Sequence, residues 1–559
     1  MANRENGLKR AIPALSTAIS NALNRARNLV IDLLPGERPR LLVIELSGSY
    51  PARRPKLKLF SVATVMGAKR EQSQEELADI VSTLIATPWL DGVVLRLAEL
   101  HVDVATAYAL RSQIERLKAG GKRVVVTTSD LNTVSYYLAS AADEIVAPEG
   151  AMLWVHGSAI TATFMADALE RFGVRFEKLA IDEYKNAGDQ LALSEMSEPQ
   201  RRQYDALLDS VEASYVAAVG SGRDRPGEEV LDWIDRGVTS AQSAFDLGMI
   251  DRVAYEDEFL SEKHQPYASA ARFLPARTRA DGGGRVAVVS LEGNIVPGKS
   301  RRSPIPVPIF GERLAGSETL VRALRAVGRD PSTKAIVFHV DSGGGSAVAS
   351  DLIWREVKLL AQRMPVVAVM GQLAASGGYY VLTHATRVLA APATITGSIG
   401  VLMAKLVLEE FNARYGLNPE TLKRGRYAGM LGSARPWDDA ERDLVERSNR
   451  EVYRRFVDRV ASGRNMTVER VNEIGRGRIW SGASALELGL VDEIGDVHVA
   501  VERAKELAGL DREAPVWNVH APQKLLLPAD GDPRVVLRAW APLLSEPVLL
   551  MHEAALNFD

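Results

Sequence analysis

The 559-residue chain contains no cysteine. That absence excludes disulfides, thiol nucleophiles and cysteine-ligated metals, while leaving the compartment open. Histidine is scarce, with eight residues, none paired at a spacing that suits a metal site. No run of about eighteen apolar residues occurs, which argues against a spanning helix. No continuous apolar core followed by a small-residue cleavage site marks a signal peptide either. The net charge is only -3, so nucleic acid is not expected as a partner. What remains is a globular composition, 46% hydrophobic and 25% charged, in a chain too long for one core. At least two domains are expected.

The N-terminal segment 8–34 has helical spacing. Ile12, Leu15, Ile19, Leu23, Ala26, Val30 and Leu33 recur at steps of three and four, and Pro35-Gly36 ends the pattern. Lys9, Arg10, Arg25 and Arg27 make the segment basic. Two readings stand side by side: a helix lying on an anionic membrane surface, giving a peripheral membrane protein, or a helix packed on the protein or another subunit, compatible with a cytoplasmic one.

The chain also repeats itself. Gly92–Leu97 reads like Ala335–Val340, and Tyr136-Tyr137 like Tyr379-Tyr380, both at an offset of 243. Val146-Ala147-Pro148 parallels Ala390-Ala391-Pro392, and Gly157-Ser158 parallels Gly397-Ser398. Ser243–Asp251 matches Ser484–Asp492 at an offset of 241. Ordered matches at nearly one offset indicate a tandem duplication of a unit of roughly 230 residues.

Each unit opens with an apolar strand (41–46; 286–291), then a helical stretch, a second strand (92–97; 335–340), an amphipathic helix (104–118; 347–361) and a third strand (123–127; 366–370). Short β-branched runs alternating with helices predict an α/β fold with largely parallel sheets. Asp281-Gly282-Gly283-Gly284 has turn chemistry without periodicity. The expected order is a basic amphipathic segment (1–40), a first repeat (41–275), a linker (276–284), a second repeat (285–515) and a tail (516–559).

Two glycine-rich loops, both in the second repeat, are candidates for chemistry. Asp341-Ser342-Gly343-Gly344-Gly345-Ser346 follows a strand and precedes a helix, where converging N–H groups suit an anion or an oxyanion. It lacks the Lys-Ser/Thr of a phosphate-binding loop. The second, Gly371 to Tyr380, places Ser376 among small residues at a strand-to-helix turn. Ala374 replaces the first glycine of an α/β-hydrolase elbow. On these residues alone Ser376 is either a nucleophile beside the Gly377 N–H or a helix N-cap. His339 and His384, nearest in sequence, have no acidic partner in a loop and read as structural.

Asp341–Ser346, Ala375-Ser-Gly-Gly-Tyr-Tyr380, Thr396-Gly-Ser-Ile-Gly-Val401 and Trp480-Ser-Gly-x-x-Ala-x-x-x-Gly-Leu-Val-Asp492 together resemble the long, tandem-repeat form of the signal peptide peptidase A family, family S49. These are serine–lysine peptidases with a Clp protease/crotonase-like fold, and the likeness covers about 40–510. The resemblance implies Ser376 as nucleophile and Lys185, in Tyr184-Lys185-Asn186-Ala187, as general base. It also implies an oxyanion hole from Gly345 and Gly377, Ser398 orienting the lysine, and no cofactor or metal. Peptide substrates such as signal-peptide remnants and a homo-oligomer, commonly a tetramer, follow from it. Lys185 can act only if burial lowers its pKa. Three features depart from the family: Gly343 where proline is usual, acidic Asp182 and Glu183 just before the base, and no spanning helix. Two alternatives share the fold, an acyl-CoA enzyme and a catalytically silent scaffold. The first repeat has Thr133 where the second has Ser376, and Ala98–Val102, without glycine, where the second has its glycine loop. One composite site built from both repeats is therefore expected.

Overall fold

Near-continuous apolar runs such as Val93-Val94-Leu95 are buried on both faces, as strands of a parallel sheet must be. The computed structural model describes residues 19–34, 36–54, 72–260, 264–280, 283–307, 311–520, 524–525 and 549–551. In the first repeat six parallel strands lie in the order Arg252–Val253, Glu144–Ala147, Arg123–Thr128, Gly92–Leu100, Leu41–Gly48 and His264–Pro266. In the second the order is Ile479–Ser481, Ile395–Gly397, Val366–Ala375, Thr333–Ser342, Arg285–Glu292 and Val516–Val519. All are parallel except the pair Ile395–Gly397 with Ile479–Ser481. Capped amphipathic helices cover the sheets. Asp103 caps Val104–Ala119, and Ser346 caps Ala347–Ala361 in the matching place.

The duplication extends to single hydrogen bonds. Tyr136 donates its hydroxyl to Met249 O at 2.9 Å, and Tyr379 donates to Leu490 O at 2.9 Å. Asp251 accepts from Ile145 N at 2.8 Å while ion-paired to Arg223, and Asp492 accepts from Val388 N at 2.7 Å while ion-paired to Arg464. The expected α/β fold of two tandem repeats with largely parallel sheets is what the chain adopts.

Three features lay beyond sequence reasoning. Strand Arg175–Ala180 of the first repeat pairs antiparallel with Leu402–Val407 of the second over six residues, so one ladder joins the repeats. Val516–Val519, placed in the tail by sequence, forms the edge strand beside Arg285–Glu292, so the second sheet runs past 515. Leu549–Met551 pairs antiparallel with Gly344–Ser346.

The N-terminal segment, described from residue 19, is helical over 19–30 and continues as a 3-10 turn, Ile31–Leu33; the expected residues 8–18 lie outside the described ones. Its polar side faces the protein. Asn21 donates to Arg279 O (2.6 Å) and accepts from Arg279 N (2.9 Å). Asn24 donates to Arg277 O (2.9 Å), and Asn28 donates to Ala276 O and accepts from Ala276 N. Ile19, Leu23, Leu29, Val30 and Leu33 are left exposed.

Candidate active site

Ser376 follows the last residue of strand Val366–Ala375, whose neighbour in the sheet is Ile395–Gly397. Its backbone is strained, with φ 55° and ψ -117°, a region costly for a residue with a Cβ. Ser376 N donates to Gly397 O at 2.8 Å, which ties this turn to the strand leading into Ser398. The side chain makes no capping bond to the short helix Gly377–Tyr380, so the N-cap alternative does not describe it. The hydroxyl lies instead 2.7 Å from Lys185 Nζ.

The glycine loop abuts this turn. A Cβ at Gly377 would stand 3.2 Å from Gly345 N, so the backbones of the two loops touch. Gly345 has φ +145°, and a Cβ there would meet Ile295 O at 2.1 Å; only glycine fits. Gly345 and Gly377 therefore stand side by side next to Ser376, in a place where two N–H groups can share an oxyanion.

Lys185 comes from the other repeat. Strand Arg175–Ala180, held by its ladder to Leu402–Val407, delivers the turn that carries it, and Ile181 N donates to Val401 O at 2.8 Å. The lysine is 1% exposed and Ser376 0%. Lys185 Nζ also lies 3.0 Å from Ser398 Oγ and 3.1 Å from Ser398 O. A neutral amine has two N–H donors and one lone pair. With the donors on the two Ser398 oxygens, the lone pair is free for the Ser376 proton. Burial holds Lys185 well below the ordinary lysine range, and the charge of Lys178 adds to that effect. Asp182 and Glu183 are exposed. The structure thus brings Ser376, Lys185, Ser398, Gly345 and Gly377 together.

The histidines stand apart in role. His339 is buried in strand Thr333–Ser342 and pushed down to about 4 by burial; His384, also pushed down to about 4 chiefly by burial, accepts from Trp354 Nε1 at 2.9 Å. In the first repeat Thr133 is 1% exposed and donates to Gly157 O at 3.4 Å.

Sequence reasoning missed the support of the lysine turn. Lys178 donates to Lys185 O at 3.1 Å and is ion-paired to Asp189. Gly477 of the second repeat packs on the Lys185 backbone. An isolated lysine, aspartate and glycine carry no local signal of such a role.

Comparison with known proteins identifies the family. The model of peptidase family S49 matches residues 116–269 and 358–511, once in each repeat. The chain is 33% identical over 439 residues to the chloroplastic serine protease SPPA of Arabidopsis thaliana, aligning 76% of itself and spanning 64% of that relative, just under two thirds of its length. It is 28% identical over 471 residues to Protease 4 of Salmonella typhi, covering 80% of this chain and 74% of that one. A putative protease of Synechocystis sp. matches at 34% identity over 240 residues, 43% of this chain and 83% of the relative.

Proposed function

The chain belongs to peptidase family S49, and on that premise we propose that it is a serine endopeptidase cleaving extended, largely apolar peptides, such as signal-peptide remnants, through a Ser376–Lys185 dyad. The observation that supports this most is the 2.7 Å contact between Ser376 Oγ and Lys185 Nζ, made between repeats in a fully buried setting. In this reading neutral Lys185 takes the Ser376 proton as Oγ attacks the substrate carbonyl carbon. The oxyanion is held by the N–H groups of Gly345 and Gly377. Collapse breaks the C–N bond, and the lysine gives its proton to the leaving amine. Water then attacks the acyl ester, Lys185 takes a proton from it, and the acid leaves as the proton returns to Ser376. Ser398 keeps the amine aimed at the hydroxyl throughout.

No helix among the described residues is long and apolar enough to cross a membrane. Attachment is proposed at a membrane surface instead, through the N-terminal helix. Its polar stripe is occupied by the backbone of 276–279, and its outward face carries Leu23 (65% exposed), Leu33 (80%) and the cation Arg25. An apolar and basic face suits anionic lipid. A homo-oligomer, with a tetramer as the leading size, is proposed for the same chain, consistent with exposed Phe172, Tyr415, Leu417 and Leu422; light scattering on the purified protein reads it directly.

The decisive test is Ser376→Ala in the full chain, with a fluorogenic apolar peptide and a fluorophosphonate probe. Activity should fall by several orders of magnitude with labelling abolished and the melting temperature retained. More than a few per cent residual activity would remove Ser376 from the mechanism.

A further inference from the structure

A second lysine closes the turn that carries the first. Lys178 lies on strand Arg175–Ala180 with its side chain 11% exposed. Its ammonium donates to Lys185 O at 3.1 Å, to Ala187 O at 3.3 Å and to the Asp189 carboxylate. Three donors meet three acceptors, so the group is fully used. The other Asp189 oxygen accepts from Asn186 Nδ2 at 2.7 Å, and Asn186 Oδ1 accepts from Gln203. Gln203 Oε1 accepts from Ile479 N at 3.3 Å in the second repeat. A continuous series of bonds therefore runs from the inter-repeat ladder, round the Lys185 turn, to the start of strand Ile479–Ser481, just after Gly477.

The charges around Lys185 can be placed by element. On its own turn Asp182 and Glu183 are exposed, Glu183 standing 4.0 Å from Arg202. Tyr184 lies under Arg478, 5.5 Å from its ring centre, and Arg478 also stacks on Trp480. The contacts from Ser376 and Ser398 are neutral. The buried charges of the turn are Lys178 and Asp189. Lys178 and Asp189 are ion-paired to each other within the turn. Burial is the larger influence on the Lys185 amine, and the like charge of Lys178 acts in the same direction.

We infer that Lys178 is a positioning residue for the dyad: it fixes the backbone of Lys185 from one side and places its own ammonium on the turn that carries the base. The inference rests on the Ser376–Lys185 reading. A lysine that merely held the turn would be replaceable by any side chain filling the same space. A lysine that also sets the field must be replaced by another cation.

The experiment compares full-length Lys178→Met and Lys178→Arg with the parent, reading kcat/KM on a fluorogenic peptide and the rate of Ser376 labelling across pH. In Lys178→Met the acidic limb should move up by about one pH unit, a shift ordinary for a like charge in a buried site. Below the limb the rate then falls about tenfold, and at alkaline pH it returns toward the parent value. Lys178→Arg should keep the parent limb. An unmoved limb in Lys178→Met, or a loss that alkaline pH does not repair in a variant of parental melting temperature, overturns the inference. If Lys178→Met does not fold, a limb displaced by about one pH unit in Lys178→Arg overturns it equally. Should Ser376→Ala stay active, the parent reading fails instead, and the two failures are told apart.

Discussion

Gly477 belongs to no dyad, yet a single methyl group there should disable one. A Cβ at this position would lie 2.5 Å from Lys185 N and 2.6 Å from its Cα and Cβ, against an ordinary contact of 3.4 Å or more. Two of these are backbone atoms and the third is the first atom of the side chain, so no flexible side-chain end can yield. Gly477 itself is fixed by donating to Ile399 O at 2.8 Å. Either the loop or the lysine must shift by about 1 Å, and a displacement of that size in a catalytic group commonly costs about a hundredfold in rate. The left-handed backbone, φ +85°, adds about 1–2 kcal/mol of strain to an alanine. Gly477→Ala should therefore lose about a hundredfold in kcat/KM on a fluorogenic peptide, with slower fluorophosphonate labelling of Ser376, in a protein that still folds. Gly121→Ala supplies the control, because it has the same kind of backbone, φ +78°, with nothing within 4 Å of the new Cβ. It should be destabilised to a similar extent and fully active. Parental activity in Gly477→Ala would mean that Lys185 is not held by this contact, and equal losses in both variants would attribute the effect to strain alone.

Ser398→Ala removes one of the acceptors on Lys185 Nζ, the Oγ at 3.0 Å, and should lower kcat/KM about ten- to a hundredfold, while Ser398→Thr retains most of it; kinetics on both variants checks this. Because folding holds Lys185 below its ordinary value near 10.5, the unfolded chain binds the extra proton between the two values. Stability should then rise with pH through that window, and in Lys185→Met urea titrations at several pH values should show a flatter dependence. Leu23→Glu combined with Leu33→Glu should abolish sedimentation with phosphatidylglycerol vesicles and leave peptidase activity unchanged, since both side chains face away from the protein; vesicle binding equal to the parent would assign that face to another partner.

The sheets were legible because their strands are buried on both faces, which turns each into an unbroken β-branched run, and because every signal occurs twice. Tyr136 and Tyr379 announce the duplication in the sequence and then make the same hydrogen bond in the fold. The loops carrying Ser376 and Gly345 were legible from their small residues. Lys185 was found only through family resemblance, since its partners are 191 and 213 positions away and nothing in the local sequence points to them. The ladder between Arg175–Ala180 and Leu402–Val407 was missed for the same reason: pairing between distant strands leaves no periodicity of its own. At the N-terminus the apolar stripe drew attention and left open whether a membrane surface or protein covers it. Asn21, Asn24 and Asn28 recur at helical spacing too, and it is this stripe that meets the protein, because the extended backbone of 276–279 offers polar groups that an apolar face could not satisfy.

The ladder that brings Lys185 to Ser376 also sets a timetable. Synthesis proceeds from the N-terminus, so the lysine emerges with the first repeat while the serine, its glycine loop and the strand Leu402–Val407 are still to be made. On the dyad proposed above, a chain interrupted before residue 376 would carry a base with nothing to deprotonate. A fragment starting after residue 185 carries a hydroxyl with nothing to activate it. In that reading hydrolytic power arises only once both halves have been made and have closed on each other.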